Sequence, residues 1–450
     1  MSAELTCFKA YDVRGRVPDQ LNENIAYSIA RAYSQFLSPR KVAVGYDVRL
    51  TSRELCSAIT RGLIDSGVDV VSIGQCGTEE IYFATSYLNL DGGIVVTASH
   101  NPQEYNGMKF VRENSKPISG DSGLKEIKLL AEQNKFSNIF SKGAATSVDL
   151  KSAYIERLIS YIDIASLEPL KVVCNAGNGG AGQIIDLLEG YLPFEFTKIH
   201  HEADGAFPHG VPNPLIEENR LPTANAITRK GADIGIAWDG DFDRCFFFDE
   251  NAEFIEGYYI VGLLAHSFLA SNPGAKVVYD PRLTWNTMEI ANQLGGEAIC
   301  CKTGHAFIKE RMRKEDAIYA GEMSAHHYFR DFYYCDSGML PWLLVAELMA
   351  KKSKRLSELV NERKAAFPVS GEINVKIEDP KRLLKLVENK YSRGADSVEK
   401  IDGLSISYSN WRFNLRMSNT EPVVRLNVEA RGDSILMTKK TNELLRLIYS

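Results

Sequence analysis

Short apolar runs that alternate with amphipathic stretches are the feature that most constrains how this chain folds. Several apolar runs end in polar, glycine-rich or aspartate-rich turns: "KVAVGYD" (41–47), "VDVVSIG" (68–74), "GGIVVTASHN" (92–101), "LKVVCNAGNGG" (170–180), "ADIGIAWDGD" (232–241) and "AKVVYDPR" (275–282). Such runs are typical of strands buried on both faces. Stretches with helical periodicity, such as "ENIAYSIARAYSQFL", lie between them. The alternation predicts parallel α/β layers.

The strand-then-polar-loop pattern recurs in three blocks and then changes. After "AAFPVSG" (365–371), consecutive short strands lie between two helical stretches, which is typical of a small α+β domain. A chain of 450 residues is also too long for one ordinary core. We therefore expect three similar α/β domains with mixed sheets, at residues 1–148, 149–252 and 253–367, and a smaller α+β domain at residues 368–450.

Composition argues against several classes of protein. The net charge of −6 and the lack of a long basic run argue against a nucleic-acid partner. No apolar window is long enough to span a bilayer, and the first residues lack the apolar core of a signal peptide. The eight cysteines are scattered without a CxxC pair, which favours buried thiols in a reducing compartment. We expect a cytoplasmic protein that binds neither nucleic acid nor membrane.

The stretch "AWDGDFDR" places Asp239, Asp241 and Asp243 at alternate positions after an apolar strand. Three carboxylates this close repel one another unless a cation neutralises them, and oxygen ligands suit Mg²⁺ or Ca²⁺. An EF-hand is rejected because Arg244 takes the place of the loop glycine. Since Mg²⁺ also favours phosphate oxygens, the triplet predicts a phosphate partner. A solvated acidic turn is the alternative.

Ser99, in "TASHNP", directly follows the strand "GGIVV". The glycines of a GxSxG elbow are missing, which argues against a hydrolase nucleophile. His100 should point away from Ser99 if the chain is extended there. As a phosphoserine, Ser99 would be a dianionic phosphoryl carrier and a metal ligand. A capped turn is the alternative interpretation of this stretch.

The stretch "RMSNTEPVVR" brings two guanidinium groups, two hydroxyls and an amide into one loop between strands. They belong to Arg416, Ser418, Asn419, Thr420 and Arg425. This set of donors matches the geometry of a phosphate group. A polar hairpin turn is the alternative.

Two other stretches, "CKTGHAFIK" and "GEMSAHHYF", are polar insertions between apolar elements. Glu322 and Ser324 would point the same way on a strand, so that both could bind sugar hydroxyls. For His305, His326 and His327, structural hydrogen bonding is the alternative to a functional role, and the residues alone leave it open.

Four further cationic side chains are candidate site residues because of their positions in the sequence. Arg14 and Lys109 could aid proton transfer or stabilise a transferring phosphoryl group, with surface charge as the alternative. Arg244 and Arg282 follow strand ends, where ligands bind in open α/β sheets. The glycines of "NAGNGGAG" (175–182) are explained by a tight strand-to-helix turn without a nucleotide.

Taken in order, these motifs resemble those of the α-D-phosphohexomutase family over essentially the whole chain. "TASHNP" resembles its phosphoserine loop, "DGDFDR" its metal loop, "GEMSAHH" its sugar-binding loop and "RMSNTEPVVR" its phosphate-binding loop. "FKAYDVRGR" and "WRFNLRMSNTEP" are most similar to the bacterial branch that acts on mannose phosphates. Two departures are Ala325, where many relatives have Gly, and Asn419, where other branches have Gly.

The resemblance implies three related α/β domains and a smaller fourth one around a central cleft. It implies an intramolecular phosphotransferase that interconverts mannose 6-phosphate and mannose 1-phosphate through a phosphoserine and a hexose 1,6-bisphosphate, and so supplies GDP-mannose for surface polysaccharide. Glucose phosphates, or both hexoses, are the alternative substrates. The implied cofactors are Mg²⁺ and hexose 1,6-bisphosphate as activator, and the partner is a phosphorylated hexose. A monomer and a homodimer both remain open.

The family's roles transfer to matching positions. Ser99 would carry the phosphoryl group and, with Asp239, Asp241 and Asp243, would hold the metal. Arg14, Lys109 and His305 would act at the reacting oxygen. The implied substrate-binding residues are Arg244, Arg282, Glu322, Ser324, His326, Arg416, Ser418, Asn419, Thr420 and Arg425.

Two rival hypotheses remain at this point. Asp239 ends an apolar strand in a DxD pattern, so it could be the nucleophile of an aspartyl-phosphate phosphatase. A non-catalytic protein that binds a sugar phosphate or calcium would use the same loops without any transfer to protein.

Overall fold

The chain forms two compact units that each combine two segments of sequence. The computed structural model describes residues 4–137, 141–417 and 423–449. The first unit comprises Met1–Phe254 and His326–Ser353, and the second comprises Ile255–Ala325 and Lys354–Ser450.

A six-stranded mixed sheet occupies the first part of the first unit, in the order β1-β5-β4-β2-β3-β6. Its elements are β1 (Val13–Arg16), α1 (Glu23–Leu37), β2 (Lys41–Tyr46), α2 (Ser52–Asp65), β3 (Asp69–Gln75), α3 (Thr78–Tyr87), β4 (Gly92–Val96), β5 (Tyr105–Arg112), α4 (Leu124–Gln133) and β6 (Ala145–Ser147). Strand β2 is parallel to β3 and β4, whereas β5 is antiparallel to β4 and β1. All five residues of β4 are buried, as an apolar run in a central strand requires. Ser99 therefore leaves the sheet at the carboxyl end of β4.

A second sheet follows, in which β10, β9, β7 and β8 are successive neighbours. Its elements are α5 (Lys151–Ile159), β7 (Lys171–Asn175), α6 (Ala181–Glu189), β8 (Glu195–Ile199), α7 (Leu221–Lys230), β9 (Ile234–Trp238), β10 (Cys245–Phe248) and β11 (Phe254–Ile255). Strand β9 is parallel to β7 but antiparallel to β10, which pairs Cys245 with Trp238. The aspartate triplet is thus the turn of a buried hairpin.

The second unit begins with three parallel strands, since β12 pairs with both β13 and β14. Its elements up to Ala325 are α8 (Gly257–Ser271), β12 (Lys276–Tyr279), α9 (Trp285–Gln293), β13 (Glu297–Cys300), α10 (His305–Glu315) and β14 (Tyr319–Gly321).

The chain then returns to the first unit with β15 (His327–Phe329), β16 (Cys335–Asp336) and α11 (Leu340–Lys352). Within that unit the buried Glu79 of α3 holds this segment: its carboxylate accepts from Ser337 Oγ at 2.8 Å and from the Gly338 backbone N–H at 2.6 Å.

The last part of the second unit is an antiparallel sheet in the order β17-β21-β20-β19-β18 with helices. Its elements are α12 (Leu356–Ala366), β17 (Ile373–Lys376), α13 (Pro380–Tyr391), β18 (Ser397–Glu399), β19 (Leu404–Ser407), β20 (Trp411–Met417), β21 (Val423–Ala430) and α14 (Ser434–Tyr449). Short 3₁₀ turns elsewhere span Glu113–Ser115, Ile164–Ser166, Glu217–Arg220 and Arg330–Phe332.

The predicted fold class is confirmed: mixed α/β sheets occupy most of the chain and a smaller α+β domain ends it. All eight cysteines are free thiols, and all but the half-buried Cys300 are buried. Among the described residues, no helix has the length and apolar character needed to cross a bilayer. The four domain boundaries stay predictions.

The expectation that Glu322 and Ser324 lie on a strand is wrong. They lie in a turn between β14 and β15. A strand could not continue there, because the turn places Ala325 at a positive φ of 70°.

Burial makes His327 a pH-sensitive element of the fold. Burial lowers the pKa of His327 from 6.5 to about 3. Between these pH values the unfolded chain binds a proton at His327 that the folded chain does not. The part of the unfolding free energy that depends on a neutral His327 is therefore fully present above pH 6.5 and is lost as the pH falls toward 3. The loss amounts to about 1.4 kcal/mol per pH unit.

We therefore expect His327→Gln to flatten the pH dependence of stability. Between about pH 7 and pH 5, the variant should lose about 2 kcal/mol less unfolding free energy than the unchanged protein. Urea denaturation followed by tryptophan fluorescence at both pH values measures this difference. Equal losses would contradict a neutral buried His327.

Candidate active site

Ser99 and Asp239 meet in the first unit, although they come from different sheets. Ser99 Oγ donates to Asp239 Oδ2 at 2.7 Å, and the Ser99 backbone N–H donates to Thr97 Oγ1 at 3.0 Å. Only 3% of Ser99 is exposed. The structure therefore brings the "TASHNP" loop and the aspartate loop into one site.

The expectation that His100 points away from Ser99 is wrong. Ser99 has a positive φ of 49°, so the chain is not extended there. As a result, His100 Nδ1 lies 3.0 Å from Ser99 Oγ. Burial and the nearby Arg244 guanidinium lower the pKa of His100 well below its usual range. This imidazole is thus neutral, and its Nδ1 can accept a hydrogen bond beside the serine.

The three aspartates lie together and are almost fully buried, with candidate ligand atoms within 4.8 Å of one another. Two cations of the protein compensate them. Lys109 Nζ lies 2.8 Å from Asp241 Oδ2 and also contacts Asp243. Arg244 donates to Asp239 Oδ2 from Nε at 2.9 Å and from Nη2 at 2.6 Å.

Charge in this cluster is only partly balanced. Burial opposes ionisation of Asp241, but Lys109 outweighs it and lowers the pKa of Asp241. Burial and the neighbouring Asp241 carboxylate raise the pKa of Asp243. Burial would lower the pKa of Lys109, yet the two carboxylates raise it above its usual range, so the lysine stays an ammonium ion.

Two carboxylate oxygens of the cluster are left without hydrogen bonds. Asp241 Oδ1 and Asp243 Oδ1 are buried and accept from no donor among the described residues. A buried acceptor without a partner is costly, and a divalent cation with oxygen ligands would satisfy both atoms. The residues present therefore fit the metal site expected at Asp239, Asp241 and Asp243.

Arg14 approaches the serine loop from strand β1, which pairs with β5. Its Nε donates to Asp12 Oδ2 at 2.8 Å and its Nη1 donates to Asn101 Oδ1 at 2.5 Å. The interpretation as isolated surface charge is wrong, because the guanidinium is held by the loop itself.

Sequence reasoning missed Arg49, which holds the serine loop from behind. Its guanidinium donates to the backbone carbonyls of Ser99, Asn101, Pro102 and Tyr105 at 2.5–2.9 Å. Only 3% of the residue is exposed. Because a single rigid donor group satisfies four carbonyls, it defines the shape of the loop. Its position in the sequence could have indicated this role, because Arg49 directly follows "GYDV" at the end of a predicted strand.

Sequence reasoning also missed Thr78, at the start of α3. Its hydroxyl donates to Asp241 Oδ2 at 2.6 Å and accepts from Lys109 Nζ at 3.3 Å.

The glycine-rich turn "NAGNGGAG" lies beside the aspartate loop. A Cβ on Gly179 would come within 2.7 Å of the Gly240 carbonyl oxygen, so this glycine lets the backbone approach the aspartate loop closely.

His326 belongs to the first unit, whereas Glu322 and Ser324 belong to the second. His326 Nδ1 lies 3.5 Å from Asp336 Oδ2, and the two residues form a cluster with Asp243. His305 is the first residue of α10 in the second unit, where it is buried.

In the second unit, Arg282 organises the predicted sugar-binding turn. Asp280 holds it with two hydrogen bonds, of 2.9 and 2.8 Å. Arg282 Nη2 in turn donates to Ser324 Oγ at 3.2 Å and lies 3.7 Å from Glu322 Oε1. Glu322 and Ser324 therefore converge through a shared arginine rather than through a strand. Ala325 adopts a positive φ of the kind that favours glycine.

Arg416 and Arg425 are opposite one another on β20 and β21. Both approach Glu372: Arg416 Nη2 is 3.0 Å from Oε2 and Arg425 Nη1 is 3.6 Å from Oε1. The other predicted phosphate-binding residues, Ser418, Asn419 and Thr420, lie outside the described residues.

Four family models match successive segments of the chain. They are described as phosphoglucomutase/phosphomannomutase alpha/beta/alpha domain I at residues 6–138, domain II at 152–253, domain III at 256–367 and the C-terminal domain at 372–443.

Full-length relatives agree with these matches. The chain is 58% identical to a phosphomannomutase of Escherichia coli K12 over 452 residues, which cover 99% of each chain. It is 55% identical to a protein named phosphohexose mutases from Xanthomonas campestris pv. campestris B100 over 444 residues, which cover 99% of each chain. A solved phosphoglucomutase/phosphomannomutase family protein from Burkholderia thailandensis is 33% identical, with a TM-score of 0.89 over 99% of this chain and 97% of that chain.

The charge balance of the aspartate cluster predicts the effect of removing Lys109. In Lys109→Met, two buried carboxylates lose their ammonium ion, and without divalent cations the unfolding free energy should fall by about 3 kcal/mol. Added Mg²⁺ should restore stability by compensating the same carboxylates, so it should raise the melting temperature more in the variant than in the unchanged protein.

The matched control is Lys125→Met, which removes an exposed lysine that pairs with Asp121 at 3.5 Å. Its stability should change by less than about 1 kcal/mol. Thermal unfolding with and without Mg²⁺ measures both effects. An equal response to Mg²⁺ in the Lys109 variant and the unchanged protein would show that lysine and cation do not compensate the same charges.

Proposed function

The chain belongs to the phosphoglucomutase/phosphomannomutase family, and from this premise we propose that it interconverts mannose 6-phosphate and mannose 1-phosphate. The protein is an enzyme of the phosphotransferase and isomerase type. The observation that carries the proposal is Ser99 Oγ, placed 2.7 Å from Asp239 inside a buried acidic cluster. The full-length relatives named phosphomannomutase support mannose as the sugar. The product, mannose 1-phosphate, would supply GDP-mannose for surface polysaccharide.

The cofactors follow from the same cluster. Asp239, Asp241 and Asp243, with a phosphate on Ser99, would hold Mg²⁺. Bound there, Mg²⁺ would neutralise charge on the transferred phosphoryl group. Hexose 1,6-bisphosphate would serve as activator, because its phosphoryl group can restore phosphoserine when the serine is free.

The transfer itself would proceed in two half-reactions. Phospho-Ser99 gives its phosphoryl group to the free O1 or O6 of a hexose monophosphate: the bond from phosphorus to Ser99 Oγ breaks and a bond to the sugar oxygen forms. The sugar hydroxyl loses its proton to a base, and a hexose 1,6-bisphosphate results. The other phosphoryl group of this intermediate then passes to Ser99: its bond to the sugar oxygen breaks, a bond to Ser99 Oγ forms, and an acid protonates the sugar oxygen, which leaves the isomeric monophosphate.

Residues of the first unit suit the needs of this step, which depends mainly on positioning and charge. Arg14 is fixed to the serine loop through Asn101, and Arg244 Nη2 is 3.4 Å from Ser99 Oγ. Both would stabilise charge on the phosphoryl oxygens. Lys109 remains cationic beside the aspartates. Neutral His100 can accept a hydrogen bond beside the serine oxygen.

Residues of the second unit are proposed to recognise the substrate. Glu322 and Ser324 would bind sugar hydroxyls, with His305 of the same unit, and His326 of the first unit, as further candidates for hydroxyl recognition and proton transfer. Arg282, Arg416 and Arg425 would bind the phosphate that does not react, together with the predicted Ser418, Asn419 and Thr420.

The aspartyl-phosphate alternative is disfavoured by the state of Asp239. Its Oδ2 accepts from Ser99 Oγ and from two nitrogens of Arg244, and its Oδ1 accepts from the Arg244 backbone N–H at 3.3 Å. A carboxylate that accepts this many hydrogen bonds is a poor nucleophile. The serine hydroxyl beside it is oriented by its hydrogen bond to Asp239.

A coupled mutase assay tests the proposal. The purified chain, with Mg²⁺ and a trace of hexose 1,6-bisphosphate, should convert mannose 1-phosphate with a kcat/KM at least about tenfold above that for glucose 1-phosphate if mannose is the preferred sugar. Equal values would establish dual specificity, and a reversed ratio would favour phosphoglucomutase. Lack of turnover with both sugars would refute a mutase.

Replacement of the serine tests the phosphoryl carrier. Ser99→Ala should lower kcat by at least about 10³-fold, because the carrier is lost, and should abolish acid-stable ³²P label on the protein. The control is Ser57→Ala, which removes a hydroxyl on the exposed side of α2. This variant should keep its kcat and its acid-stable ³²P label. Label that is sensitive to hydroxylamine and persists in Ser99→Ala would instead support an aspartyl phosphate.

A further inference from the structure

Three arginines of the second unit surround one carboxylate. Glu372 Oε2 lies 3.0 Å from Arg416 Nη2 and 3.5 Å from Arg282 Nη1, and its Oε1 lies 3.6 Å from Arg425 Nη1. We call Arg282, Arg416 and Arg425 the arginine cluster. Glu372 directly precedes β17, next to Gly371, which has a positive φ of 68°.

The arginine cluster needs an internal anion. Arg416 and Arg425 are direct cross-strand partners, and like charges in such a pair repel. Asp280 compensates Arg282 from the other side. Glu372 is the carboxylate that approaches all three guanidinium groups, so it relieves the repulsion between the two strand arginines.

The charge state of Glu372 follows from these neighbours. Burial would raise the pKa of its carboxyl group, but Arg282, Arg416 and Arg425 outweigh burial and hold the pKa below its usual range. The side chain is 16% exposed and ionised, with its oxygens on the donors that a phosphate would use. Arg416 also keeps an unused donor, because its buried Nε has no acceptor among the described residues.

We propose that Glu372 is a tethered competitor of the substrate's phosphate for the arginine cluster. The inference rests on the proposed function, in which this cluster binds the phosphate that does not react. A carboxylate and a phosphate are alternative acceptors for the same N–H groups. A phosphate that binds to the arginine cluster must displace Glu372 or share the arginine N–H groups with it. It is also repelled by the negative charge of the Glu372 carboxylate. Glu372 therefore lowers the affinity of the cluster for phosphate.

Such competition suits the proposed reaction. The hexose 1,6-bisphosphate must release one phosphate from the arginine cluster before its other end can take the same place. An arginine cluster without an internal anion would hold the intermediate too tightly and slow this exchange. With Glu372 present, the departing phosphate is replaced by a carboxylate, so the guanidinium groups are never left buried without an anion.

The same contacts allow an opposite role, in which Glu372 braces the arginines in the geometry that phosphate needs. The two roles differ in sign. If Glu372 positions the arginines, its removal weakens phosphate binding. If Glu372 competes with phosphate, its removal tightens phosphate binding.

Glu372→Gln distinguishes these roles, because it keeps the shape of the side chain and removes its charge. Isothermal titration of the full chain with inorganic phosphate should give a Kd about tenfold lower in the variant, since a charge-assisted competitor is lost. In the mutase assay, KM should fall and kcat should fall with it, because exchange of the intermediate becomes slow. Glu378→Gln, at an exposed position near the end of β17, should leave Kd, KM and kcat unchanged.

A second pair of variants assigns the effect to the cluster. In the Arg416→Ala background, Glu372→Gln should tighten phosphate binding much less, because the closest shared donor is gone. If Glu372→Gln fails to fold, Glu372→Asp serves instead: its shorter carboxylate withdraws from the arginines and should also lower Kd.

An unchanged or higher Kd in Glu372→Gln, or in Glu372→Asp where that variant replaces it, would overturn the proposal. This result is independent of the proposed function: lack of mutase turnover in the unchanged protein refutes the function, whereas the ratio of phosphate Kd values still decides the competition.

Discussion

The buried carboxylates of Asp239, Asp241 and Asp243 are the constraint on which the first unit depends. Three buried negative charges are tolerable only if cations and donors reach them, since an uncompensated buried ion costs several kcal/mol. Lys109 and Arg244 supply the cations, and Ser99 and Thr78 supply hydroxyl donors. These groups come from β5, from the β9–β10 hairpin, from the loop after β4 and from the start of α3. The charge balance therefore explains why four separate parts of the unit converge.

The second unit shows the same principle with the opposite sign. Its arginines are compensated by Asp280 and Glu372. In each unit, an internal ion stands where the chemistry expects a ligand: an ammonium ion beside the aspartates, and a carboxylate among the arginines. Such internal ions stabilise each unit, because the buried charges keep counter-ions within the chain.

The backbone adapts to these clusters at a few strained or crowded positions. Ser99 has a φ of 49° and Ala325 has a φ of 70°, and both positions precede a histidine that enters a site. Arg49 stabilises the first of these turns by binding the carbonyls of the serine loop. Gly179 lets the chain approach Gly240 in the aspartate loop. Conformations of this kind cost about 1 kcal/mol or more and persist where the surroundings hold them.

The sequence by itself determined the fold class, the strands that end in the site and the residue types of each loop, because hydrophobic period and residue type are local properties. It also pointed to a cation at the aspartates and a phosphate nearby, since the charges of "DGDFDR" and "RMSNTEPVVR" do not depend on the fold. Only the tertiary structure decided which charges meet. Ser99 and Asp239 are 140 positions apart, and the pairing of Glu372 with Arg282 joins two separate sheets. Distances of this kind depend on how sheets and loops pack, and packing is a property of the whole unit rather than of any short stretch.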